Sequence, residues 1–102
     1  MRIELAPAAR HELVAAADAY EIQRGGRGRD FAAAVLETST WIARFPLLGP
    51  PFPGVRSDLG YRRRVVTGFP LVLAYRIASK GIRIEAVAHM RRGPDYWKGR
   101  LR

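Results

Sequence analysis

Cysteine is absent from these 102 residues, which excludes disulfide staples, thiol nucleophiles and cysteine-bound zinc. Histidine occurs twice, at His11 and His89, too sparsely for a histidine-rich metal site, so neither a metal nor a cofactor is expected. No apolar run approaches the ~20 residues that span a bilayer. The opening MRIELAPAARHEL carries acids and a proline, which argues against a secretory signal and points to a cytoplasmic protein without a membrane partner. Acids are scarce too, with nine Asp+Glu against eighteen Lys+Arg and a formal charge of +9. What remains is one domain's worth of chain, residues 1–102, folding on its own core.

The charge is unevenly placed. Residues 1–51 hold six bases and six acids, whereas residues 52–102 hold twelve bases and three acids. Sixteen of the eighteen bases are arginine, the side chain suited to paired, stacked and phosphate contacts, although a GC-rich genome enriches arginine as well. A one-sided basic surface suggests a polyanionic partner: nucleic acid, an acidic protein or, ranked behind these, a membrane surface.

The first half reads as strand and helices. Ile3–Leu5 is a short edge strand, and Pro7 fits the first turn of a helix running through the alanine-rich Ala8–Arg24. The run Arg24-Gly25-Gly26-Arg27-Gly28-Arg29 reads as a glycine break, and Asp30 as the N-cap of a second helix. Phe31, Val35, Thr38, Ile42 and Phe45 follow at helical spacing until Pro46. Two amphipathic helices so joined form an antiparallel hairpin. Residues 46–60 contain four prolines and three glycines, and Leu47, Leu48 and Phe52 suggest that this loop packs. The glycines between the helices form a turn and lack the context of a phosphate loop.

The second half reads as strands, at Arg62–Thr67, Leu71–Ile77 and Ile82–His89. A tight turn at Ser79-Lys80-Gly81 sets Ile77 opposite Ile82, Tyr75 opposite Ile84 and Leu73 opposite Ala86, with this apolar set against the helices. Leu71, Leu73, Tyr75, Ile77, Ile82 and Ile84 are therefore expected under Leu13, Val35, Ile42 and Phe45. The other face would carry Val72, Ala74, Arg76, Arg83, Glu85, Val87 and His89 and stand open. The expected fold class is α/β (α+β), a two-helix hairpin on one face of a twisted antiparallel sheet.

Four features carry chemistry. Arg62-Arg63-Arg64 places at least one guanidinium on each face, though charge on an edge strand also serves against aggregation. His89, followed by Arg91 and Arg92, could move protons beside cations that stabilise a phosphorane-like transition state, as metal-free RNA cleavage requires; it also reads as a hydrogen-bonded strand end. Tyr96-Trp97 could stack on bases or donate a phenolic proton, and equally could anchor the chain's end. Glu85 could be a base or the ion-pair partner of Arg76 or Arg83.

The element order, with Phe45-Pro46, the run Phe69–Arg76 and the closing Ala86-Val87-Ala88-His89-Met90-Arg91-Arg92-Gly93-Pro94-Asp95-Tyr96-Trp97, resembles the RelE/ParE superfamily of toxins, and its ParE branch most. The resemblance implies a bacterial or archaeal growth-inhibiting toxin of a type II toxin–antitoxin module, neutralised by an acidic cognate antitoxin. ParE-like members bind and poison DNA gyrase; RelE-like members cut ribosome-bound mRNA. Val72 stands where ribonuclease members often carry arginine, which favours the inhibitor. If the chain were a ribonuclease, the resemblance would assign catalysis to His89, Tyr96, Arg91 and Arg63. Arg62, Arg64, Arg76, Arg83, Arg92 and Trp97 are the candidate binding residues.

Overall fold

The structure, a computed structural model, describes residues 1–92 and Trp97. The chain runs β1 (Ile3–Leu5), α1 (Pro7–Gln23), α2 (Arg27–Arg44), a 3-10 turn at Ser57–Leu59, β2 (Arg62–Val65), β3 (Leu71–Ala78) and β4 (Gly81–His89). The four strands form one sheet in the order β1-β4-β3-β2. β2, β3 and β4 are antiparallel neighbours, while β1 lies parallel to β4 with Ile3 beside Ile82 and Leu5 beside Ile84. The sheet is thus mixed where a purely antiparallel one was expected. The helical hairpin returns the chain over the sheet, so the strand preceding it can join the far edge without a turn.

α1 begins at Pro7, whose missing N–H would have had no partner in the first turn. α2 starts at Arg27, three residues before the expected cap Asp30, with Gly26 as N-cap at φ 89°. The reason lies in Glu21 of α1. Its carboxylate accepts hydrogen bonds from the backbone N–H groups of Gly26 and Gly28 at 3.0–3.1 Å, supplying the cap from the neighbouring helix. Gly28 is buried in the first turn of α2, and a Cβ there would lie 2.5 Å from the carbonyl oxygen of Ala17. The glycine that reads as a helix breaker is what lets the two helices approach.

The main core lies between hairpin and sheet. Phe31, Val35 and Ile42 of α2 meet Leu71, Leu73 and Tyr75 of β3 and Ile82, Ile84 and Val87 of β4. Burial of each such side chain contributes about 1.5–3 kcal/mol. Tyr20, Phe31 and Phe69 form an aromatic triangle with centroids 5.0–5.2 Å apart, and the Arg27 guanidinium lies 4.1 Å from the Phe69 ring. Two residues expected in this core lie at its margin, Ile77 at 40% and Phe45 at 41% exposure. Ile77 is near the hairpin's free end, and Phe45 is the C-cap that ends α2.

The β3–β4 register follows the expected pairing from Ile77–Ile82 to Tyr75–Ile84 and then shifts at a bulge, so that Ala74 faces Ala86, Leu73 faces Val87 and Leu71 faces His89. Glu85 is the extra residue. Beyond it the faces of β4 exchange: Val87 joins the helix-side core, while Ala86 and Ala88 turn to the opposite face.

That opposite face is not open as expected. Phe52, Val55 and Tyr61 from the Pro/Gly loop, together with Trp97, cover Val72, Ala74, Ala86 and Ala88 in a second core. Trp97 meets Phe52 and Tyr61 edge-on at 5.1 and 5.7 Å. The alanines leave room for these rings. Of the three loop residues expected to pack, Phe52 does, while Leu47 and Leu48 are exposed.

Candidate functional site

β2 divides its arginines by parity. Arg63 lies opposite Ala74 and belongs to the second face, whereas Arg62 and Arg64 lie opposite Tyr75 and Leu73 on the helix side. Arg62 donates through Nη1 to the carbonyls of Leu47 (3.2 Å) and Gly49 (2.7 Å). The Arg64 guanidinium lies 3.6 Å from the ring centroid of Trp41 on α2, a close cation–π stack. The loop also covers the start of β2's outer edge, where Pro51 bridges Arg62 and the N–H of Arg63 donates to Pro50.

Arg76 and Arg83 face each other across the hairpin on the second face. Arg83 meets two carboxylates, Glu4 by a short hydrogen bond and Glu85 at 3.5 Å from its Nε. Glu85 is thus an ion-pair partner, as one of its two sequence readings had it. Arg76 lies beside Tyr61, whose phenol is pushed up by burial and by the negative Glu85, partly offset by its hydrogen bond with Arg76. Sequence reading missed Tyr61 altogether. Its signal was an aromatic at the end of a Pro/Gly loop, one residue before a strand.

His89 leaves the face where parity had placed it. Behind the bulge it sits opposite Leu71 and lines a groove of about 470 Å³ with Ala16, Tyr20 and Gln23 of α1 and with Pro70. Its Nδ1 accepts from the backbone N–H of Arg91 at 3.1 Å, which places the neutral ring's proton on Nε2. Arg63 instead lines a separate hollow of about 360 Å³ with Pro50, Arg64, Val65, Thr67 and Met90. His89 and Arg63 therefore stand on opposite faces of the sheet. Arg91 and Arg92 are exposed in the turn after β4, and Tyr96 lies outside the described residues. Trp97, a candidate binding residue, is fully buried in the second core and presents no surface. Among the described residues no group of three or more His, Cys, Asp or Glu is placed to hold a metal, and no helix is long and apolar enough to cross a membrane.

The other sheet edge offers a different kind of site. Arg2 and Ala6 direct backbone groups toward β4, accepting from Ile82 N–H and donating to the Ile84 carbonyl. Alternation turns those of Ile3 and Leu5 outward. Among the described residues no strand pairs with this outer edge, and beside it runs an apolar groove of about 370 Å³, lined by Ile3, Leu5, Leu13, Val35 and Leu36 among others.

No protein-family model matches the chain, and no curated protein matches it either. Among solved structures it is similar to a chain described as "Chromosomal ParDE TA system from P. aeruginosa", with a TM-score of 0.73 and 19% identity over 87% of this chain and 95% of that one. The chain thus shares the fold of that ParDE chain, in agreement with the fold that the resemblance implied.

Proposed function

We propose that this chain is the toxin of a type II toxin–antitoxin pair, that it arrests growth by binding DNA gyrase, and that an acidic antitoxin neutralises it. The observation that carries the reading is the fold shared with a ParDE TA system over nearly the whole of both chains. The placement of the arginines favours an inhibitor over a ribonuclease. A metal-free nuclease needs its base, acid and phosphate-binding cations around one phosphate, whereas His89 and Arg63 stand on opposite faces, and Arg83 is occupied by Glu4 and Glu85. The antitoxin fits the outer edge of β1, unpaired among the described residues, and the apolar groove beside it, an arrangement that takes an added strand or an amphipathic helix. The net charge of +9 would draw an acidic segment toward the protein, and the groove, lined by residues of the evenly charged first half, would then take its apolar side chains.

Brief expression in bacterial cells tests the target. Gyrase-linked DNA breaks with unchanged mRNA 5′ ends are expected. New 5′ ends within translated messages, without such breaks, would replace the inhibitor by a ribosome-dependent ribonuclease.

A further inference from the structure

We propose that the turn leaving α2 is the target-binding knob of this protein: Leu47 and Leu48, collared by Arg44, Arg62 and Arg64, enter an apolar pocket rimmed by carboxylates on the protein that the toxin arrests. This rests on the toxin reading above and adds the surface through which it acts.

Leu47 and Leu48 are 65% and 67% exposed, with Phe45 beside them. Single exposed apolar side chains are ordinary, but here the backbone beneath them is clamped on both sides. Tyr75 donates its hydroxyl to Pro46 O at 3.0 Å, Arg62 donates to Leu47 O and Gly49 O, Leu48 N–H returns to Phe45 O at 3.2 Å, and Arg63 N–H holds Pro50 O at 3.0 Å. Gly49 is buried so closely against the Tyr75 hydroxyl that a Cβ would fall on it. Two buried-side anchors thus hold two leucines out in water. A loop ordered before binding loses little freedom when it docks.

The collar specifies the partner. Arg44 and Arg64 lie over the rings of Phe45 and Trp41 at 5.6 and 3.6 Å. Among the described residues no carboxylate forms an ion pair with Arg44, Arg62 or Arg64, in contrast to Arg83 and Arg56, which are paired. Their charge is available to an acidic rim. An apolar centre with an arginine border is the anatomy of a protein interface. A nucleic acid would use the arginines and gain nothing from the leucines. Arg62 of β2, the edge strand opposite β1, holds the knob, while the groove assigned to the antitoxin runs along β1 and α2 as far as Ala43, so the two surfaces adjoin at the end of α2.

The experiment compares the wild type with Leu47→Ser/Leu48→Ser and with Ile22→Ser, a control at a highly exposed site on α1. Purified protein is titrated into a gyrase supercoiling reaction, growth arrest is scored in cells at equal protein level, and melting and sedimentation are recorded. We expect the double variant to melt like the wild type and to lose at least ~10-fold in both inhibition and growth arrest, the scale of an interface hot spot, with Ile22→Ser unchanged. The single Leu48→Ser variant should fall between. Full potency of a folded double variant overturns the proposal. If the wild type spares gyrase but the double variant still loses growth arrest, the gyrase reading falls and the knob stands. If the variant merely converts a dimer into a potent monomer, the surface joins copies of this chain and the proposal fails. It fails too if Arg44→Ala/Arg64→Ala abolishes both growth arrest and binding of a labelled DNA duplex while the leucine variants abolish neither.

Discussion

The carboxylate of Glu12 in α1 accepts a hydrogen bond at 3.0 Å from the backbone N–H of Val87, 75 positions along the chain in β4. β1 ends at Leu5, and Ala6 makes the last bond to β4, at Ile84. Among the described residues β4 has no strand neighbour on this side beyond that point, and a helix side chain accepts its bond just past the bulge. Replacing Glu12 by Ala should cost about 1–2 kcal/mol, because it removes this charge-assisted, part-buried hydrogen bond between helix and sheet. Glu12→Gln retains an acceptor oxygen and should recover most of the loss. Thermal or urea denaturation of the two variants tests this, and equal stability of Glu12→Ala and wild type would remove the role.

Gly28 is a point of close approach between α1 and α2. A Cβ at this position meets the Ala17 carbonyl oxygen at 2.5 Å and the Glu21 side chain at 3.0 Å. The carbonyl belongs to a helix backbone and cannot step aside, so Gly28→Ala should destabilise by roughly 1–3 kcal/mol as the helices are forced apart. Gly25→Ala meets only Glu21, at 3.8 Å, and should be tolerated. Parallel melts of the two variants give the comparison.

Acid should loosen the hairpin through Glu21. The backbone N–H groups of Gly26 and Gly28 hold its carboxyl below the usual glutamate value. A group with a depressed folded pKa contributes stability that is present above its unfolded pKa and lost as pH falls through the folded one. Glu21→Gln should therefore melt below the wild type near neutrality, and the gap should close as pH drops through and below the ordinary glutamate range. A gap independent of pH would mean that the charge plays no part.

Tyr75 joins the core to the exposed turn. Its ring is buried among the helix-side residues and its hydroxyl bonds Pro46 O. Burial pushes the phenol up, so it remains neutral, and a donor, throughout the physiological range. Tyr75→Phe removes one hydrogen bond, about 1 kcal/mol, and frees one anchor of Leu47 and Leu48. Growth arrest per folded molecule should drop several-fold while the double variant Leu47→Ser/Leu48→Ser loses nothing further. An additional loss in the triple variant would separate Tyr75 from the knob.

The sequence disclosed the parts of the fold that local patterns control. Helical spacing placed Phe31, Val35 and Ile42 in the core, and the turn at Ser79–Lys80 fixed Ile77 opposite Ile82. The bulge at Glu85 was illegible, because Ala86-Val87-Ala88 satisfies alternation on either face. The one clue was size, with the larger Val87 going to the larger core. His89 was misplaced through that single residue, since a slip of one exchanges faces. The cover of the second face was hidden for a related reason. Phe52, Tyr61 and Trp97 are distant in sequence, and only the small size of Ala74, Ala86 and Ala88 hinted that rings would lie on them. Leu47 and Leu48 were misread because two apolar residues in a loop suggest burial, and nothing local reveals that Arg62 and Tyr75 grip the backbone instead of the side chains.

The parallel pairing of β1 with β4 sets an order of events during synthesis. A chain made from its N-terminus can wind α1 against α2 as soon as both have emerged, since their contacts are local. Ile3, Glu4 and Leu5 must wait for Ile82, Arg83 and Ile84, nearly eighty residues later. Until β2 and β3 arrive, the hairpin has no sheet beneath it, and the Leu47–Leu48 turn lacks Arg62 and Tyr75 to hold it. A truncated translation product ending before β2 would carry the leucines without Arg62 or Tyr75. The geometry that presents them needs β2 and β3 in place, whereas β1 finds its partner only once the last strand is complete.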